Sequence, residues 1–142
     1  MENGTHGKKW YTEEENNIAF SLALEVNCEV TKLEGVTLEI ANILVLVFQK
    51  LYDDITLEIK YPNDLIYQGK KIGGILTETK LKGKVAKWMV IGIGINTNQE
   101  KFPEEIKNIA TSIKKEFHLK IDNEKVIAEF CNLWEKMFLE MK

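Results

Sequence analysis

The chain has 142 residues, 44% of them hydrophobic and 29% charged, with a formal net charge of −3. That is one domain's worth of sequence, able to bury about 68–70% of its unfolded surface. Mild acidity with no basic block argues against a nucleic-acid binder, and the longest apolar run, Ile43 to Phe48, is too short to cross a bilayer.

Residues 1–15 are polar, with Gly4 and Gly7 flanking Thr5 and His6, and read as a loop with no secretory signal. From Asn17 to Val26 the residues Ile18, Phe20, Leu22 and Leu24 alternate, which predicts a strand. Thr31 with Glu34 three positions on has capping-box spacing and opens a predicted helix. Its apolar residues Leu33, Val36, Ile40, Ile43, Leu44, Val47 and Leu51 carry it to about Tyr52, packed centrally against a sheet. Thr56 to Tyr61 is a short strand stopped by Pro62, because proline removes a ladder hydrogen bond. Leu65–Tyr67 and Lys71–Leu81 form a predicted hairpin around Gln68-Gly69-Lys70. Lys82-Gly83-Lys84 then turns the chain into Val85–Asn96, an antiparallel meander.

Asn98 to Glu104, with Pro103, is a loop, and Ile109 to Phe117 is a short predicted helix. Asp122 caps a last helix whose apolar face is Ile127, Phe130, Cys131, Trp134, Met137, Phe138 and Met141. Strand, long helix, several strands, then helices is an α+β order, in a single domain over 1–142. Cys28 and Cys131 lie far apart, without CxxC or Cys/His ligand spacing, so no metal site is expected. Both thiols read as small core-filling groups in a reduced, cytoplasmic setting. Every cation is lysine, since the chain contains no arginine. An anionic ligand would therefore be met by ammonium groups, backbone N–H groups or neutral donors, never by a guanidinium fork.

The stretch VIGIGIN, Val90 to Asn96, is the most suggestive. In a strand, Ile91, Ile93 and Ile95 face one side, and Gly92, Gly94 and Asn96 the other. Taken alone, strand glycines most often mark a bend or a close approach of backbone. Gly73-Gly74, however, falls in the strand expected to pair with this one, so two neighbouring strands lose side chains together. Lys60 ends the preceding strand. A bare slot beside one lysine suits a ligand with a flat apolar part and an anionic part. The plainer alternatives are a solvated strand-end charge for Lys60 and an ordinary turn for Asn63-Asp64.

These residues resemble a known family. KYPNDLIYQGKKIGGILTE, residues 60–78, resembles the KWPNDL…GKKxxGIL block of biotin–protein ligases. VIGIGINTN, residues 90–98, is similar to that family's VxGIGxN strand, and GTHGKKWYT, residues 4–12, looks like the end of its ligand-binding glycine-rich loop. The resemblance implies a truncated biotin/lipoate ligase fold, akin to class II aminoacyl-tRNA synthetases, with a mixed, largely antiparallel sheet packed on helices. It also implies the activity: ATP adenylates the carboxylate of biotin, and a lysine of a carrier protein then attacks biotinyl-AMP. Lys60 would be catalytic, pairing with carboxylate and α-phosphate. Asn63, Asp64, Gly73, Gly74, Ile75, Gly92, Gly94, Ile95 and Asn96 would contact biotin or adenylate. Asn3, Gly4, Thr5, His6 and Gly7 would close over the adenylate, with Trp10 holding its base and Mg²⁺ bridging the ATP phosphates.

The departures from the family pattern are specific. Its loop commonly reads GRGRRGRKW, whereas here Asn3, Thr5, His6 and Lys8 stand at the arginine positions. A strand and helix carrying further biotin contacts would precede this loop, and a small barrel would follow the last helix in many members. Neither those elements nor a winged helix is expected within these residues, so no repressor activity is expected. The implied partners are a biotin carboxyl carrier domain and, through a sheet edge laid bare by the missing strands, a second copy of the chain. Two other readings are a lipoate ligase or octanoyltransferase relative, and a non-catalytic remnant that only binds ligand or assembles with a partner.

Overall fold

The structure, a computed structural model, describes residues 17–141. Strand β1 spans Ile18–Glu29, helix α1 Val36–Leu51, β2 Glu58–Lys60, β3 Asp64–Tyr67, β4 Lys70–Lys82, β5 Val85–Ile95, helix α2 Ile113–Phe117 and α3 Asn123–Met141. The strands form one antiparallel sheet in the order β1-β5-β4-β3-β2. The α+β order and the meander stand as expected. The predicted loop over residues 1–15, and the side chain of Met141, lie outside the described residues.

Alternation along the strands makes the core. Ile91, Ile93 and Ile95 of β5 are 0%, 3% and 1% exposed, and their cross-strand partners include Leu22, Phe20 and Ile18 of β1. Ile40, Leu44, Val47 and Phe48 of α1 are fully buried, and Phe130 of α3 meets Phe20 edge to face, with ring centroids 5.8 Å apart. Each such side chain contributes about 1.5–3 kcal/mol. Lys50 and Glu129 tie α1 to α3 at 2.6 Å. The β3–β4 and β4–β5 hairpins close through two-residue turns, Gln68-Gly69 and Gly83-Lys84. Positive φ at Gln68 and Gly69, and at Gly83, gives the primed turn types that match strand twist.

Four boundaries differ from expectation. The first strand continues to Glu29 across a bulge between Glu25 and Cys28, where Asn27 takes φ 46°. The extra residue lets the even-numbered side chains keep facing the core. The first helix begins at Val36, not Thr31. Residues 30–33 form a 3-10 turn, and Gly35 at φ 81° separates the two, so the Thr31–Glu34 spacing closes a turn instead of a capping box. β2 has only three residues, because Ile55 and Leu57 ahead of it are drawn into the core. The helix expected over 109–117 is confined to 113–117. The Lys71 N–H donates to the Ile109 carbonyl at 2.8 Å and the Thr111 N–H to the Lys71 carbonyl at 2.9 Å, which holds residues 109–111 extended as a parallel bridge on β4.

Asp122 caps α3 as expected, accepting from the Lys125 N–H at 3.3 Å. Cys28 and Cys131 are free thiols, half-buried against the rim of the core. Burial, and secondarily Glu135, pushes the Cys131 thiol up.

Past β5 the chain enters a buried polar latch. Asn17 donates to Gln99 Oε1 at 2.7 Å and accepts from the Thr97 N–H at 3.0 Å. Asn98 holds both backbone groups of Ile121, donating to its carbonyl at 2.9 Å and accepting from its N–H at 2.7 Å. Ser112 donates to the Gln99 carbonyl at 2.5 Å and caps α2 by accepting from the Lys115 N–H. The latch joins the start of β1, the end of β5 and both C-terminal helices. Asn98→Ala strands two buried backbone groups, each worth about 1–3 kcal/mol when unsatisfied. Urea unfolding should therefore show a loss of about 2–3 kcal/mol at unchanged m-value.

Candidate functional site

Among the described residues the helices pack on one side of the sheet, and strand register decides what lies on the other. Lys60 pairs with Asp64, Asp64 with Gly74, Gly74 with Gly94, and Gly94 with Ala19. Directly opposed residues share a face. One row therefore crosses the whole sheet: lysine, aspartate, glycine, glycine, alanine. The next row on this face is Leu76, Gly92 and Ser21. A Cβ added to Gly92 would meet nothing nearer than Leu76 O and Ser21 Oγ, both at 3.9 Å. The row is a trough with a main-chain floor, Lys60 at its rim and small residues at its far wall.

Several expected residues come together here and others do not. Lys60 is exposed at the end of β2, followed by exposed Tyr61 and Pro62. Asp64, Gly74, Gly92 and Gly94 lie on the open face, in line with the alternation argument. Gly73, Ile75 and Ile95 lie on the covered face, where Ile75 and Ile95 belong to the core. Gly73 has its own explanation: a Cβ there would stand 2.6 Å from the Gly94 carbonyl oxygen and 3.2 Å from the Ile95 Cα. The half-buried Asn63 gives its carbonyl to the Ile75 N–H at 2.9 Å. Asn96 is 2% exposed and belongs to the latch, donating to the Thr111 carbonyl at 3.2 Å and accepting from Asn17 at 3.5 Å. Asn3, Gly4, Thr5, His6, Gly7 and Trp10 lie outside the described residues.

One residue was missed. The β3–β4 register shifts between Leu65–Gly73 and Ile66–Lys71, making Ile72 an extra residue in β4. Strict alternation from Gly74 would put Ile72 on the open face and Lys71 in the core. The bulge reverses both: Ile72 is 0% exposed, and Lys71 turns to the open face beside Ile66. The Lys71 ammonium lies 3.5 Å from Asp64 Oδ1 and 3.4 Å from the position of a Gly74 Cβ. No signal within β4 alone marks this bulge, which comes from its pairing with β3.

Among the described residues no cluster of His, Cys, Asp and Glu could hold a metal ion. No described helix is long and apolar enough to cross a membrane. A second, shallow depression beside α2 is lined by Glu100, Lys114, Lys115 and His118. There Lys114 lies 2.5 Å from Glu100 and holds its carboxyl below the ordinary range, by hydrogen bond first and charge second.

Fold and site define an α+β domain whose sheet carries helices on one side and, on the other, an open floor of small residues with lysines at its rim. The chain belongs to the biotin/lipoate A/B protein ligase family, whose model matches residues 3–96. It is 36% identical over 137 residues to the bifunctional ligase/repressor BirA of Bacillus subtilis (strain 168), covering 95% of this chain and 42% of that protein. It is 30% identical over 125 residues to BirA of Escherichia coli (strain K12), covering 88% and 39%. The chain thus spans about two fifths of the length of these curated relatives. Among solved structures, the biotin protein ligase from Aquifex aeolicus in complex with biotin and ATP superposes with a TM-score of 0.79 at 27% identity. That match covers 99% of this chain and 57% of the other. The biotin protein ligase from Leishmania major in complex with biotin, at 20% identity and TM-score 0.70, shares the fold.

Proposed function

We propose that this chain is the catalytic part of a biotin–protein ligase acting on a biotin carboxyl carrier domain in the cytoplasm. The observation that carries the reading is the cross-sheet row Lys60, Asp64, Gly74, Gly94 and Ala19, a flat floor with a cation at one end. Biotin's fused ring would lie on the glycines with its carboxylate toward Lys60. In the first step a carboxylate oxygen attacks the α-phosphorus of ATP and pyrophosphate leaves, giving biotinyl-AMP. In the second the carrier's ε-amine, having given up a proton, attacks the acyl carbon and AMP leaves.

Negative charge builds near the α-phosphate in both steps. An ammonium already in place stabilises that charge without reorganising solvent. Residues 3–7 and Trp10 would cover the adenylate and exclude water from the mixed anhydride. Mg²⁺ would travel with the ATP phosphates, holding mostly phosphate and water oxygens. β1 is an outermost strand among the described residues, and its unpaired edge would serve a homodimer.

The test is incubation of the chain with ATP, biotin and a carrier domain, read by mass. Expected are biotinyl-AMP and a carrier heavier by one biotinyl group. A chain that makes neither product, yet melts higher with biotin, is a binding remnant. Ligand at 100 times its Kd adds about 2.7 kcal/mol. Product from lipoate in place of biotin would move the chain to the lipoate branch.

A further inference from the structure

From residue 88 onward, the open face of β5 carries no polar side chain: it reads Trp88, Val90, Gly92, Gly94. The residues between them, Met89, Ile91 and Ile93, are buried in the core. Gly94 and Gly92 leave the floor bare over two rows, and the next row on β5 is Val90, about 6.8 Å beyond Gly92. Glu78 and Ala23 oppose Val90, and Lys80 and Glu25 oppose Trp88. Charged side chains thus stand on these rows in the flanking strands, as suits a face open to water. β5 alone keeps apolar ones there, with Val90 39% and Trp88 46% exposed. Strand side chains stand roughly perpendicular to the sheet, and a β-branched one is stiff at χ1. Val90 is therefore a rigid apolar post at the point where the bare floor stops.

We propose that Val90 is the end stop of the trough, the residue that sets how far the ring of the acyl substrate extends along β5. This deepens the ligase reading and rests on it. A compact fused ring fits over the two glycine rows. A ring with a further apolar substituent on the side toward Val90 meets its methyl groups. Removing that side chain would lengthen the floor by one row, as far as Trp88, whose indole would become the new wall. Substrate width, on this account, is measured by one side chain that contributes little to the core.

The experiment is calorimetric titration of the full chain with biotin and with two derivatives, each propylated on a different ureido nitrogen. The unmodified chain should bind biotin and reject at least one derivative by about tenfold or more, the usual effect of a few excess methylenes against a wall. Val90→Gly should admit the rejected derivative nearly as well as biotin, and Val90→Ala serves should the glycine variant fail to fold. Val90→Phe thickens the stop and should weaken biotin itself about tenfold. Its urea stability should hold, because an aromatic residue suits an exposed strand position. Val90→Thr, equal in size, should keep the unmodified pattern, which separates width from polarity. If Val90→Phe binds biotin undiminished, if the unmodified chain accepts both derivatives, or if neither trimmed variant gains one, this inference falls while the ligase reading stands. If the unmodified chain binds no biotin, both fall together.

Discussion

Lys60→Ala should abolish formation of biotinyl-AMP, by at least about 10²–10³-fold, while the melting temperature moves by no more than about 2 °C. The two numbers follow from the same position. Lys60 is exposed at the last residue of a three-residue strand, and its backbone pairing with Asp64 is untouched by the change. Among the described residues its side chain takes no part in the core. The transition state of the proposed first step, in contrast, would gather charge between carboxylate and α-phosphate at the rim where the Lys60 row ends. Pyrophosphate release under single-turnover conditions, with circular dichroism melting on the same samples, separates the two effects. Full activity in the alanine variant would remove Lys60 from the mechanism. Lys60→Arg should recover part of the rate, since charge is kept while shape and hydration change.

How far the sequence revealed this site depends on which physical rule governs each position. Period-two alternation is local, so the split of Ile91, Ile93 and Ile95 from Gly92 and Gly94 was legible and stands. The same rule, pressed harder, would have separated Gly73 from Gly74, since adjacent strand residues face opposite ways; only Gly74 floors the trough. Lys71 could not be placed by alternation. A bulge depends on how two strands pair, and neither strand alone shows it. The latch was hidden for a different reason. Asn96 was expected on the open face at the end of its strand, and Asn98 and Gln99 in a loop, yet Asn96, Thr97, Asn98 and Gln99 are all buried because their polar groups find partners from distant elements. The early end of β1's prediction and the late start of α1 share one cause. Asn27 and Gly35 take positive φ, which spacing of apolar residues does not encode.

Two glycines one strand apart should separate fold from function when each is given a side chain. Gly73→Ala is expected to destabilise the chain by about 1–3 kcal/mol, the usual effect of forcing atoms into a packed region. Its Cβ would lie 2.6 Å from the Gly94 carbonyl oxygen, and strands held by a ladder on both edges cannot yield as a flexible side chain could. Gly92→Val should do the reverse. The added Cβ has 3.9 Å to its nearest neighbours, and strand backbone suits a β-branched residue, so stability should hold or rise by up to about 1 kcal/mol. Its methyl groups, however, would stand on the open floor where biotin's ring is proposed to lie, and biotin binding should disappear. Urea unfolding and calorimetric titration of the two variants give four values. The proposed trough requires low stability in the first variant and lost binding with intact stability in the second. Undiminished biotin binding by a folded Gly92→Val chain would move the ligand off this face of the sheet.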